Sequence, residues 1–369
     1  MTLTNYWWLL IWIFVGGIVM YCVDPKCREV VLGKEKVCWS KVAATGLVIP
    51  YIIWGGFRSD VFGDTGAYRR MFQEAPSTFA EWSTYLADVT KDKGFSVITL
   101  FIKLIVGNSD QIYFLLLAAI QILFVVYIYR RHSCNYWLSI FLFIASTDYM
   151  SWVHNGSRQF LAVTIVFMAT ELLLKKKYIL YLFIVLLAAT IHGSALLMIP
   201  IAYIIHGEAW NKKTIFCMIA AIIALIYVDR FTNILDTLLS DTQYTNVVSD
   251  WQSWEDNGTN PIRVFVYSIP TLLSIIGLKW IKAEKDLVIN LAVNASIVST
   301  GLYLLSMGTS GIFIGRLPIY TSLYASGILL PWEIENIFTR DSARIITILA
   351  VVLYSLFFVY QMRFIWGIL

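Results

Sequence analysis

Apolar runs follow one another along the chain near residues 6–23, 43–57, 111–129, 136–148, 158–174, 178–191, 193–206, 214–229, 264–279, 287–306, 312–332 and 346–362. A helix crossing hydrocarbon needs roughly 20 apolar residues. The pattern therefore predicts an all-α, polytopic integral membrane protein with about twelve transmembrane helices. No charge precedes the first run, Tyr6 to Val23, and no small-residue cleavage site follows it. A retained span is expected there rather than a signal peptide. The stretch 178–206 reads either as one long span or as two short ones broken at His192-Gly193. Two spans put 17 of the 28 basic residues in short loops on one face, from Lys26, Arg28, Lys34, Lys36 and Lys41 to Arg340 and Arg344. One long span would move the last seven to the other face. The positive-inside bias thus selects the broken hairpin and makes the basic face cytoplasmic. Both ends of the chain are then expected outside.

Composition agrees with lipid as the solvent. The 369 residues are 59% hydrophobic, 15% aromatic and 14% charged, with a mean hydropathy of +0.70. A soluble chain carries about a quarter charged residues. The net charge of +4, scattered over loops, gives no support for a nucleic-acid partner. No repeat, low-complexity segment or soluble domain stands out. A single transmembrane domain over 1–369 is expected, with outer segments 58–110 and 230–263 capping an extracytoplasmic cavity. Cys22, Cys27, Cys38, Cys134 and Cys217 all fall in or near the cytoplasmic half, where thiols stay reduced. Cys27 and Cys38 lack partner ligands at zinc spacing.

Sorting the basic residues by type changes the picture. Twelve of 15 lysines lie on the cytoplasmic face. Eight of 13 arginines, Arg58, Arg69, Arg70, Arg158, Arg230, Arg263, Arg316 and Arg363, lie outside or in the membrane. Lysines inside follow from topology, whereas arginines outside oppose it, so some other demand retains them. A guanidinium is planar, always charged and matches phosphate oxygens two at a time. Arginines converging from separate spans fit a phosphate or diphosphate.

Four segments carry this chemistry. The first outer segment opens with Arg58-Ser59-Asp60 and continues through Gly63-Asp64-Thr65-Gly66, a turn, into Tyr68-Arg69-Arg70 and Phe72, which begin a helical spacing. Phe79, Trp82, Tyr85 and Leu86 form an amphipathic stripe suited to the interface, and 94–106 is apolar but short for a span. The second segment, Asn155-Gly156-Ser157-Arg158-Gln159, puts a guanidinium at the mouth of an apolar helix, where it needs an anion or an acid; snorkelling to the interface is the plainer reading. The third is His192-Gly193-Ser194, between helices of about 21 Å that fall short of a core of about 30 Å. The fourth is Gly311 to Pro318, with Arg316 expected several residues into an apolar span; a buried ion pair with Asp64 or Asp229 is the plainer reading there. The loop 230–263 adds Arg230, Arg263 and the aromatic, polar stretches Asp241–Tyr244 and Trp251–Glu255, suited to stacking on sugars or to a lid on the membrane. No DxD metal–nucleotide site, glycine-rich phosphate loop or HExxH is present, so no cofactor and no metal are expected.

At these residues the chain resembles the EpsG-like branch of the Wzy-type polysaccharide polymerases. The resemblance runs through Arg58, Asp64-Thr65, Tyr68 and Phe72, Lys93-Gly94-Phe95, Asn155 to Gln159 with Ala162, Leu174 to Lys177, and Ala188 to Ala195. Beyond that only the span pattern and Arg316 match. The resemblance implies a fold related to membrane (GT-C-like) glycosyltransferases. It implies polymerisation of undecaprenyl-diphosphate-linked oligosaccharide repeats into O-antigen, capsular or exopolysaccharide at the outer leaflet of the bacterial inner membrane. Membrane lipids, a chain-length regulator and a flippase are the implied partners. In that setting Arg158 and Arg316 would stabilise the leaving diphosphate, with His192 or Asp64 as base and His192 preferred by its pKa. Arg58, Asp60, Tyr68, Arg69, Arg70, Gln159, Arg230 and Arg263 would bind substrate. The rival readings are a lipid-linked oligosaccharide flippase and a surface-glycan O-acyltransferase. The first would want repeat symmetry, and the second a cytoplasmic donor site with a supported histidine, for which His132 and His206 lack an acid cluster.

Overall fold

The computed structural model describes residues 3–23, 25–240, 253, 256 and 258–369. The described residues are helical apart from one short hairpin, turns and loops. Among the described residues four helices are long and apolar enough to cross a membrane, and up to six if each of two bent pairs counts as one span. The chain is an α-helical membrane protein. It packs into two compact units, residues 1–196 with 344–369, and residues 197–343.

The first unit begins with α1 (Trp7–Val23) and a two-stranded antiparallel hairpin, β1 (Lys26–Val31) and β2 (Lys34–Trp39). The basic stretch read as a loop is thus ordered. Its register pairs Lys26 with Trp39 and Val31 with Lys34, leaving Leu32-Gly33 as a two-residue turn. Both turn residues have positive φ, 52° and 79°, the geometry that matches the twist of paired strands. Ser40 then caps α2 (Lys41–Gly56) by accepting from the Ala43 amide. α3 (Thr65–Glu74), α4 (Trp82–Asp88) and α5 (Lys93–Val106) follow. Trp82 of α4, with Tyr85 and Leu86 beside it, packs with Ala75 and Leu100, so the aromatic stripe is partly spent on protein. The long α6 (Asp110–His132) runs through the unit, packed by α2 and by α8 (Ser157–Met168). α7 (Tyr136–Ala145) is capped by Asn135. A π turn, Met150–Asn155, separates it from α8. α9 (Thr170–Leu174) and α10 (Tyr178–Ile191) complete this run, and α10 stops at His192 as the break predicts.

In the second unit α11 (Met198–Ile205) leads to α12 (Lys212–Ile226), whose N-terminus Asn211 caps. α13 (Val228–Leu239) follows with a bend of 106°. The polar segment from 230 therefore opens as an amphipathic helix whose Phe231, Leu235 and Leu239 pack on Leu305 and Ile314. α14 (Pro261–Ile276), capped by Asn260, bends by 73° into α15 (Leu278–Glu284). α16 (Leu287–Met307) is the central helix, packed by α12, α14 and α17 (Ile319–Tyr324). A second π turn, Ala325–Leu329, joins α17 to α18 (Leu330–Asn336).

Candidate functional site

The π turn Met150–Asn155 organises the first unit's site. A π turn spaces its backbone bonds one residue wider than an α-helix and so leaves carbonyls looking for donors. Two side chains from the segment after α2 supply them. The Arg58 guanidinium donates to the Val153 carbonyl and, through Nε, to Gly55 at 2.5 Å. The Thr65 hydroxyl donates to the His154 carbonyl at 3.1 Å. Arg58 is fully buried, its Cζ lies 4.5 Å above the Phe114 ring, and burial pushes its pKa down to about 10, so it stays a cation at neutral pH. This arginine holds the turn in place from inside. Gly63, at φ +62°, is backed against Asn155, where a Cβ would lie 2.7 Å from that side chain. Only a residue without a side chain fits both the conformation and the approach.

Arg69 is spent on two acids. Its Nε donates to Asp110 at 2.5 Å and its Nη1 to Asp60, so the predicted Asp60 and Arg69 meet each other. Arg70 is exposed on α3. Asp64 stands at the head of α3 without a capping hydrogen bond from its side chain, one turn before Tyr68 on the same helix face.

The π turn delivers the chain to α8, whose first turn is held from two sides. Gln121 donates to the Ser157 carbonyl at 2.7 Å, and the Arg158 amide donates to the Tyr68 hydroxyl at 3.2 Å. The Arg158 side chain, 36% exposed, places Nε 3.3 Å from Asp92 Oδ2. Among the described residues no group bonds its two terminal nitrogens. Asp92 is only 7% exposed. Its other oxygen accepts from the Gly193 amide at 3.2 Å. Burial pushes the Asp92 carboxyl up, and Arg158 and the Gly193 amide oppose that. One carboxylate therefore ties α8 to the break after α10. Gly94 allows the approach: a Cβ there would sit 2.2 Å from Thr190 Oγ1.

The break itself forms a small polar turn. His192 Nδ1 lies 2.7 Å from the Ser194 hydroxyl and also takes the Ser194 amide at 3.4 Å. Gln159 Nε2 donates to the same hydroxyl at 3.4 Å. The Ser194 hydroxyl bridges Gln159 and His192. Arg158, Gln159, Tyr68 and His192 thus lie in one contact network. Asp92 and Ser194 join them unforeseen. The readable signal for Asp92 was an acid two residues before Gly94, at a helix start.

In the second unit Arg316 ends a 3-10 turn, Ile314–Arg316, ahead of α17, rather than lying inside an apolar helix. The reason is a side-chain cap from afar. Asp256 accepts from the Ser310 hydroxyl at 2.6 Å and from the amides of Gly311, Ile312 and Gly258 at 3.0, 2.9 and 3.1 Å. Burial pushes this carboxyl up, but the Ser310 hydroxyl and the three amides outweigh it and hold it below the usual range. Gly315 backs onto Thr259. Arg263 lies in the first turn of α14 with its guanidinium 5.5 Å above the Tyr267 ring, and Arg230 is exposed on α13. The stretches Asp241–Tyr244 and Trp251–Glu255, Ser253 apart, lie outside the described residues.

No curated protein and no solved structure matches the chain. The model of the EpsG family matches residues 42–366, so the similarity reaches through α16 and Arg316 as well as the Arg58, Arg158 and His192 segments. With nearly its whole length inside that match, the chain belongs to the EpsG family.

Proposed function

We propose that this protein is a membrane glycosyltransferase that joins polyprenyl-diphosphate-linked oligosaccharide repeats into a surface polysaccharide. The observation that carries the reading is the state of Arg158. Its Nε leans on Asp92 while its terminal nitrogens are left open on a half-exposed side chain. A guanidinium held on one edge and open on its fork is set to take two oxygens of an anion. The membership of the EpsG family supports a polysaccharide product.

In this reaction an acceptor hydroxyl attacks the anomeric carbon of the donor glycan, and the anomeric C–O bond to the diphosphate breaks. The electron pair leaves with the polyprenyl diphosphate. Arg158 stabilises the growing charge, because a fixed donor aimed at developing charge lowers the barrier. The proton of the acceptor hydroxyl goes to a carboxylate on the other side of the sugar. Asp64 fits that role better than His192: its carboxylate makes no capping bond, whereas His192 Nδ1 is taken up by Ser194. Tyr68 and Gln159 line the same mouth and orient the sugars.

In its finer form the reading has about twelve spans, a fold related to GT-C-like transferases, and a site open to the outer face of a bacterial inner membrane. In the second unit Arg316, on its Asp256-held turn, is a further candidate for an anionic group. The test is elongation of prenyl-diphosphate-linked repeats by the purified protein. Arg158→Lys keeps the charge and loses the fork, and elongation is expected to fall about 100-fold. Elongation unchanged in Arg158→Lys overturns the assignment.

A further inference from the structure

Asp92 was no candidate on sequence, yet its carboxylate joins Arg158 to the break after α10. Its residue precedes α5 at a φ of +54°, where Asp and Asn are the side chains best tolerated. An acid at that place normally caps the helix that follows, but this carboxylate makes no cap bond. Both oxygens are turned elsewhere. One meets Arg158 Nε at 3.3 Å and the other accepts from Gly193, 101 residues along the chain, at 3.2 Å.

We propose that Asp92 is a positioning residue that aims the Arg158 fork at the substrate's diphosphate and fixes the His192–Ser194 turn beside it; this rests on the diphosphate reading above. Contact through Nε alone decides how the pair works. A bidentate pair would occupy the fork and leave nothing for a ligand. A guanidinium with no acid beside it would rotate freely and bind an anion in many poses. With the Asp92 charge 3.3 Å from the Nε edge, an ion-pair contact rather than a hydrogen bond, the guanidinium is drawn to that side and its terminal nitrogens stay uncommitted. The second consequence is electrostatic. An anion arriving at the fork meets the Asp92 charge only a guanidinium's width away, which weakens ground-state binding. Orientation counts most as charge moves onto the leaving diphosphate. Asp92 thus trades affinity for the bound diphosphate against speed of its departure. Because the same carboxylate holds the Gly193 amide, the distance from Arg158 to the His192 turn is set by one side chain.

Asp92→Asn separates these effects, since the amide oxygen still accepts from Gly193 and Asn tolerates the backbone conformation, while the charge is gone. In the full chain in detergent, binding of a short-chain prenyl diphosphate is measured by calorimetry, and elongation is measured in parallel. Asp92→Asn is expected to bind prenyl diphosphate about tenfold more tightly, to lower KM, and to lower kcat at least tenfold, with its unfolding midpoint near that of the wild type. A purely structural Asp92 would shift the midpoint and leave Kd, KM and kcat of the folded protein in place; that result overturns the proposal. If Asp92→Asn does not fold, Asp92→Gly also accepts the positive φ and is expected to move Kd in the same direction, and an unchanged Kd there is equally fatal. Wild-type protein that fails to bind prenyl diphosphate at all removes the diphosphate reading and this inference with it. Wild-type binding with an unaltered variant removes the inference alone.

Discussion

The two ends of α6 present the same kinds of side chain in different states of use. At its C-terminus Arg130, Arg131 and His132 meet Glu29 and Glu171. Arg130 donates to Glu29 at 2.6 Å and to the Trp39 carbonyl at 2.7 Å, while Arg131 donates to Glu171 at 2.7 Å and to Glu29 at 3.3 Å. His132 and Lys175 close on Glu171 at 3.2 and 2.9 Å. Every cation there has a carboxylate, and the result is a clamp joining the hairpin, α6 and α9. At its N-terminus Asp110 and Asp60 likewise consume Arg69, and backbone carbonyls consume Arg58. Acid at the start and base at the end also suit the helix dipole. Arg158 alone among these arginines keeps its fork unspent. Charge by itself therefore does not distinguish a site from a strut; an uncommitted fork on a partly exposed side chain does.

The comparison breaks most visibly at Glu171. Glu171→Ala takes the carboxylate from Arg131, His132 and Lys175; Arg131 keeps Glu29 and Lys175 can turn to solvent, so buried His132 loses most. Removing one partner of such a cluster costs about 3–5 kcal/mol. The loss is expected in the denaturation midpoint in detergent, with activity following only the folded fraction. Arg58→Met comes next. It fills the space but leaves the Val153 and Gly55 carbonyls without their donor, a loss of about 1–3 kcal/mol for each buried group abandoned. Stability and elongation should fall together, whereas Arg158→Lys should lose elongation with stability intact. If Arg58→Met stays stable and only turnover drops, Arg58 belongs with Arg158 as a ligand-binding group. Smaller again is Gly94→Ala, whose methyl meets Thr190 Oγ1 at 2.2 Å and its backbone carbon at 2.7 Å. Forcing α5 away from α10 costs about 1–3 kcal/mol. It should also loosen the Asp92–Gly193 contact, read as faster exchange of the Gly193 amide.

Much of this was legible from sequence because lipid imposes a simple rule on helix length and polarity. The break at His192-Gly193 followed from lysine counts, and the turn before α3 from Gly63 and Gly66. The hairpin was missed because its lysines satisfied the topology rule and so masked an alternation of strand residues, Arg28-Glu29-Val30-Val31 against Lys34 to Trp39. The π turn leaves no compositional mark, since one extra residue per turn needs no special side chain. That is why Arg58 reads as a ligand-binding arginine although it donates to the nearby Gly55 carbonyl and to the Val153 carbonyl far along the chain. Asp92 was hidden for the same reason: its two partners are remote, and an acid beside Lys91 and Lys93 reads as solvated. Arg316 was placed in a helix because the run 312–332 is apolar, whereas Asp256 takes the amides that the helix would have used.

The mildest test uses acid to tell the two ends apart. Donation from the Arg130 side chain holds the Glu29 carboxyl below the ordinary range, with burial opposing and Lys41 and Arg131 assisting. A lowered folded value means that Glu29 stabilises the fold above the unfolded value of about 4.5 and loses that contribution as pH falls through the folded one. Asp92 has the opposite sign. Burial raises its carboxyl, so the protonated form suits the folded state, and its contribution is present at low pH and lost as pH rises through the raised value. Lowering pH from 7 toward 4 should therefore lower the protection of the hairpin amides, measured against their intrinsic exchange rates at each pH, by the equivalent of about 1 kcal/mol or less for a partly exposed pair, while protection of the Gly193 amide does not fall. Glu29→Gln should exchange fast in the hairpin at both pH values and erase the difference. Equal loosening at both ends on acidification would mean that Asp92, like Glu29, is held ionised as part of a strut, and the contrast between the two ends of α6 would go.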